Sequence, residues 1–153
     1  MSDVHSPATR SKNMRAIRSC NTRPERLIRC SLHAAGIRYR LHRADLPGKP
    51  DLVLPKFRTV IFIHGCFWHG HSCKYFRLPQ TNSEFWREKI SGNCKRDQRN
   101  TEQLTALGWR VLIVWECSLR SSGPGLAEVS RRILASLEEQ LVCPVAGVAD
   151  FSP

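Results

Sequence analysis

Five residues between positions 64 and 73 carry side chains that bind metals or move protons: His64, Cys66, His69, His71 and Cys73. They follow Thr59-Val-Ile-Phe-Ile63, a β-branched and aromatic run with the composition of a buried strand, which breaks at Gly65. In α/β proteins, sites are built where such strands end. A disulfide or a few hydrogen-bonded histidines is the bland alternative, and so dense a cluster makes it the weaker one. Cys66, His71 and Cys73, joined by Cys117 just beyond a second apolar run, supply three thiolates and one imidazole. That is a tetrahedral zinc set with no open position, hence a structural site. The stretch from Gly65 to Leu78 has few aliphatic residues to hold it by burial, so a metal staple suits it. His64 and His69 are left for other chemistry. With Asp51 nearby they make a plausible catalytic cluster.

Four elements must bring these residues together. Asp51-Leu-Val-Leu54 and residues 58–63 read as strands, and Pro55-Lys-Phe57 is too short for a crossover, so they predict an antiparallel hairpin. A turn centred between Lys56 and Phe57 sets Asp51 opposite Phe62, beside residues 62–64. Thr81-Asn-Ser-Glu84 is a capping-box pattern for a long helix to about residue 107. Phe85, Trp86, Ile90, Leu104 and Leu107 are expected to face inward, with Gly108 as the stop. Arg110-Val-Leu-Ile-Val-Trp115 then reads as a buried strand, parallel to the first across the helix. If the two are neighbours, the thiols of Cys66 and Cys117 meet beyond their carboxyl ends.

The flanking segments read more simply. A short helix is expected over residues 11–17. Thr22-Arg-Pro-Glu25 is another capping box, opening a helix with Leu27, Ile28, Leu32 and Ala35 on one side and Gly36 at its end. Ile37, Tyr39 and Leu41 alternate with polar residues as in a strand. Leu126, Val129, Ile133, Leu137 and Leu141 form the stripe of a last helix. The segment after Cys143 has little pattern.

At 153 residues with 41% hydrophobic content, the chain suffices for one core. No apolar run is long enough for a membrane span, and the start Met1-Ser-Asp-Val-His is no signal peptide. Seven cysteines are then expected as thiols or ligands in a reducing, cytoplasmic setting. Residues 1–43 hold ten of the 24 Lys and Arg but two of the 13 acids, +8 of the net +11. Such a basic arm points to a polyanion, because each neutralised phosphate releases counterions. No strongly amphipathic segment accompanies the charge, which argues against a membrane surface.

Five stretches together resemble the very short patch repair (Vsr) endonuclease family. They are Thr9-Arg-Ser-Lys-Asn-Met-Arg-Ala-Ile17, Leu46-Pro-Gly-Lys-Pro-Asp51, Val60-Ile-Phe-Ile-His-Gly-Cys-Phe-Trp-His69, Glu84-Phe-Trp-Arg-Glu-Lys-Ile90 and Gly108-Trp-Arg-Val-Leu-Ile-Val-Trp-Glu-Cys117. The Pro50-Asp51 step before an apolar strand is also the entry to the wider restriction-endonuclease-like fold. The resemblance implies an α/β fold, a mixed sheet flanked by helices with a structural zinc. It implies Mg2+-dependent nicking of one strand at T·G mismatches that arise from deaminated 5-methylcytosine.

By the same resemblance Asp51 holds Mg2+, with Ile63 contributing its backbone oxygen where relatives carry Thr. His69 accepts the proton of the attacking water, oriented by Glu25, and His64 assists at the phosphate. Glu25 as a helix cap is the competing reading. Met14 from the minor groove, and Phe67, Trp68 and Trp86 from the major groove, would wedge into the duplex, with Lys89 and Asn93 near the mispaired bases. Packing of the rings against the following helix is the alternative. The implied organisation is a basic DNA-binding arm (1–20), an endonuclease domain (21–141) and a flexible tail (142–153). The implied setting is a bacterial, nucleoid-associated monomer, with double-stranded DNA as partner and other mismatch-repair proteins as further candidates. Two rival functions remain: a non-catalytic zinc-stabilised nucleic-acid-binding module, and a restriction-type nuclease cutting both strands. The first has no need of an acid beside two histidines. The second normally carries an acid-x-Lys pair, which is not found after Phe62.

Overall fold

The computed structural model describes residues 6–153. The polar start Met1-Ser-Asp-Val-His lies outside the described residues. The elements run α1 (Pro7–Ala16), α2 (Arg23–Ala34), β1 (Arg40–Leu41), β2 (Leu52–Leu54), β3 (Thr59–His64), α3 (Ser83–Ala106), β4 (Arg110–Trp115), α4 (Gly125–Val142) and β5 (Gly147–Phe151). One five-stranded mixed sheet has the order β1-β2-β3-β4-β5. It is flanked by helices, an α/β architecture as expected.

The β2–β3 hairpin has the expected register. Leu52 pairs with Ile61 and Leu54 with Thr59, which carries Asp51 to the position across from Phe62. A 3-10 turn over Pro55–Phe57 closes it, with Arg58 left-handed at φ 48°. β3 and β4 are parallel neighbours, Ile63 beside Val114 and His64 beside Trp115. β3 is buried on both faces because each face has its own helical cover. On one face Leu52, Leu54, Ile61, Leu112 and Val114 meet Ile28 and Leu32 of α2 and Val129, Ile133 and Leu137 of α4. On the other, Val53, Val60, Phe62 and Val111 pack with Leu104 of α3 and Trp109.

The structure departs from the sequence expectations at several places. The first helix begins earlier, at Pro7, because Ser6 caps it by accepting the Thr9 N–H; none of its residues is buried. The strand expected near Ile37 shrinks to Arg40–Leu41, although Ile37 and Tyr39 still pack on the core. The Thr22–Glu25 capping box forms, but the one at Thr81–Glu84 does not. Asn82 takes the cap position in a left-handed conformation with no side-chain bond to the helix. Phe85, Leu107 and Leu141 are exposed rather than inward, and Gln140 is buried beside the place expected for Leu141. The largest change is at the C-terminus. Where a flexible tail was expected, β5 pairs in parallel with β4 and buries Phe151 in the core. Its alternating burial is a strand pattern, but five residues give it little weight in sequence alone.

Candidate active site and metal centre

Both clusters lie beyond the carboxyl ends of β3 and β4, separated by the indole of Trp115. On one side, ligand atoms of Cys66, His71, Cys73 and Cys117 lie within 4.8 Å of one another. Cys66 follows β3, and Cys117 sits in a short 3-10 turn directly after β4, so the parallel pairing brings the two thiols together. The loop between folds back by the His71 N–H to Cys66 O bond (3.0 Å) and the Cys73 N–H to His71 O bond (2.9 Å). Gly70, at φ 62°, lets the loop lie against α3. A Cβ there would come within 3.0 Å of Ile90 Cγ2 and 3.1 Å of Cys94 Sγ.

Burial pushes the Cys66 thiol up to about 12 and raises Cys117 as well. Cys73 is also opposed by burial, yet N–H groups of Tyr75 and Phe76 and the Cys66 thiol hold it below the ordinary thiol range. Three thiols this close cannot all ionise by themselves. A dication reverses that balance, and a coordinating thiol is deprotonated outright. His71 presents Nδ1 to Cys117 Sγ at 3.4 Å, so four N/S donors converge as a tetrahedral site requires. This group could hold a metal ion.

On the other side of Trp115, Asp51, His64 and His69 open into a cleft of about 720 Å³, with Glu25, His42 and Asp97 also in its wall. The Asp51 carboxylate is fixed by the Ile63 N–H, which donates to Oδ2 at 2.7 Å. Burial raises its pKa to about 7, and the charge of Glu25 adds to this against the Ile63 bond. His64 and His69 stack, ring centroids 3.7 Å apart and planes within 1°. Burial, reinforced by the charge of His69, lowers His64 to about 3, so it is neutral at physiological pH.

The partner of His69 is Asp97 on α3, whose Oδ2 lies 2.5 Å from Nδ1. It is not Glu25. Glu25 is buried at the start of α2, where its carboxylate accepts from the N–H groups of Asn21 (2.9 Å) and Thr22 (3.4 Å). The capping reading of Glu25 is therefore the one seen, and its orienting contact to His69 is absent among the described residues. Asp97 had a sequence signal: with Ile90, Cys94, Thr101 and Leu104 it falls on the inward stripe of α3, an acid where an apolar residue is expected. His42 was also missed. It lies between Glu25 Oε2 (3.6 Å) and Asp51 Oδ1 (3.9 Å), and its Nε2 is buried with no hydrogen-bond partner. Its φ of 46° takes it out of the regular strand that its sequence alternation suggested.

The residues expected at DNA are spread over the rim. Phe67 and Trp68 pack edge-on to Trp86, at 5.4 and 6.0 Å between centroids, so loop and helix share one half-buried aromatic cluster. Asn93 holds the loop by donating to the Trp68 carbonyl at 2.9 Å. Lys89 is exposed beside the Phe85 ring, and Met14 is exposed on α1. The stretch from Ile17 to Cys20, which follows α1, borders the cleft. No helix among the described residues is long and apolar enough to cross a membrane.

Comparison with known proteins identifies the family. A family profile described as DNA mismatch endonuclease Vsr matches residues 2–75, which include Asp51 and the whole 64–73 cluster. The chain is 48% identical over 143 residues to the DNA mismatch endonuclease Vsr of Escherichia coli K12, covering 94% of this chain and 89% of that protein. It is 51% identical over 123 residues to the type II nicking enzyme V.XorIIP of Xanthomonas oryzae pv. oryzae, covering 80% and 90%. It is 47% identical over 121 residues to the type II nicking enzyme V.NmeAIP of Neisseria meningitidis serogroup A, covering 79% and 86%. Identity at this level across nearly the full length, with the acid, the histidines and the thiols inside the matched region, places the chain in the Vsr DNA mismatch endonuclease family.

Proposed function

We propose that the protein is a strand-specific DNA endonuclease of very short patch repair, nicking duplex DNA beside T·G mismatches with Mg2+ in the Asp51 cleft and Zn2+ in the thiol site. The observation that carries this reading is the pairing of His69 with Asp97 next to the Asp51 carboxylate in one cleft. If Asp97 accepts the proton on Nδ1, the lone pair of His69 sits on Nε2, free to take a proton from an attacking water. The neutral His64 ring stacked on it holds its orientation and can donate to a phosphate oxygen. Asp51 Oδ1 is free of the Ile63 bond, and the Ile63 carbonyl leaves β3 on the same side as its N–H, so the two oxygens suit a hard cation. When bound there, Mg2+ supplies offset for the charge that develops on phosphate oxygen.

Duplex DNA is the partner that the basic arm favours, and the family's restriction-endonuclease-like architecture is compatible with the mixed sheet. Met14, Phe67, Trp68 and Trp86 would enter the duplex, with Lys89 and Asn93 close to the mispair. Opening a stack costs a few kcal/mol and least at a mispaired step, so a wedge selects mismatches by deformation. The test is nicking of duplexes labelled on either strand, T·G against matched, with and without Mg2+. One labelled strand cut, at T·G alone and with Mg2+, is expected. Cutting of both strands, or equal cutting of matched DNA, would overturn the reading.

A further inference from the structure

The C-terminal strand reaches the metal centre through two residues that no part of the proposed chemistry uses. The Oγ of Ser152 lies 3.3 Å from His71 Nε2, the ring nitrogen facing away from the thiols. Ser152 in turn donates to Asp150 Oδ1 at 2.6 Å, and the same oxygen accepts the Trp115 indole N–H at 2.8 Å. The His71 ring stacks on that indole, 4.1 Å between centroids and 9° between planes. Trp115 also stands edge-on to His64 at 5.2 Å.

We infer that Asp150 and Ser152 are positioning residues for the zinc ligand His71, a relay that fixes its tautomer and ring plane. The inference rests on the zinc reading above. A neutral imidazole carries one proton, so coordination through Nδ1 requires that proton on Nε2. The relay accepts it: Nε2–H donates to Ser152 Oγ, the Ser152 hydroxyl donates to Asp150, and the indole N–H donates to the same carboxylate. Every donor in the chain has an acceptor, and the carboxylate at its end favours that direction. Groups that hold the far nitrogen of a ligating histidine in this way fix its orientation and raise its basicity, and losing one weakens metal binding about 10–100-fold. β5 therefore does more than close the sheet: its parallel pairing with β4 sets Asp150 and Ser152 against the ring that must face the thiols.

The experiment is zinc release from the full chain to a chromophoric chelator, followed at fixed pH in wild type, Ser152→Ala, Ser152→Thr and Asp150→Ala, with circular dichroism to establish folding. Ser152→Ala and Asp150→Ala should release zinc about 10–100-fold faster. Ser152→Thr keeps the hydroxyl and should stay within a few-fold of wild type. A folded Ser152→Ala that releases zinc at the wild-type rate overturns the inference and leaves the zinc site standing. Equal acceleration in Ser152→Thr and Ser152→Ala also overturns it, because the hydroxyl would then not be the cause. Wild-type protein that carries no zinc and takes none up overturns the zinc reading itself.

Discussion

Two clusters share the ends of β3 and β4, and they are held in opposite ways. In the cleft the protein's own hydrogen bonds fix the reactive groups: Ile63 N–H on Asp51, Asp97 on His69, and His64 stacked beside it. In the thiol site the contacts among the side chains are longer, His71 Nδ1 to Cys117 Sγ at 3.4 Å. Three cysteines and a histidine converge where burial disfavours the thiolates of Cys66 and Cys117. On the reading proposed above, one site is organised by the fold, and the other helps to hold the fold when its ion is bound. Damage to the cleft should stop chemistry and leave the molecule folded, whereas damage to the thiol site should loosen the loop that carries His69, Phe67 and Trp68.

The largest expected effect is on the cleft. Asp51→Ala should bind T·G duplex nearly as wild type yet nick it slower by about 10³-fold or more, since several kcal/mol of charge stabilisation leave with the carboxylate. His69→Ala should lose about 10²–10⁴-fold in rate. Single-turnover nicking and a filter-binding isotherm on the same duplex separate the two effects. Parallel loss of affinity and rate would blur the contrast between the sites.

The next effect falls on stability. Cys117→Ser should carry no zinc by atomic absorption and melt roughly 10 °C lower, because structural zinc binding is coupled to folding. A metal-free protein with an unchanged melt would mean that the thiol site is not the staple described here.

A smaller change is expected at the aromatic rim. Trp68→Ala, once shown to be folded, should lower the preference for T·G over matched duplex roughly tenfold, within the ~1–3 kcal/mol of a ring stacked on a base. The slope of log affinity against log salt should not move, because no phosphate contact is lost. An unchanged preference would return Trp68 to a packing role against Trp86.

A separate effect is a pH dependence. Burial raises Asp51 from 3.8 to about 7, so folding favours its protonated form. That contribution is whole below the unfolded value and is lost as pH rises through about 7. In magnesium-free buffer, Asp51→Asn lacks this loss. Its melting temperature should therefore gain on wild type across that window, and added Mg2+ should narrow the gap. A constant difference across the window would place Asp51 in solvent.

What the sequence revealed follows the range over which each signal acts. The hairpin register was legible because a short turn fixes it, and Asp51 reached Phe62 and Ile63 as expected. The meeting of Cys66 and Cys117 was legible because a strand–helix–strand order constrains neighbours. The partner of His69 was not. Asp97 lies 28 residues further on, and only the facing of α3 against the loop selects it over Glu25. The failed cap at Thr81–Glu84 shows the converse, a good local pattern overruled where Asn82 turns left-handed. β5 was missed because five residues, one of them the exposed Val148, carry too little periodicity, and its stability comes from β4 and from Phe151 in the core.

The most direct test of the contrast is metal removal from one preparation, read by nicking and by melting together. Removing Mg2+ alone should abolish nicking of a T·G duplex with only a small loss in melting temperature, and returning Mg2+ should restore it in full. Removing zinc as well should lower the melting temperature, and Mg2+ alone should then fail to restore nicking. If stripping zinc left both the melt and the Mg2+-restored nicking intact, the two sites would not divide folding from chemistry, and the account would be contradicted.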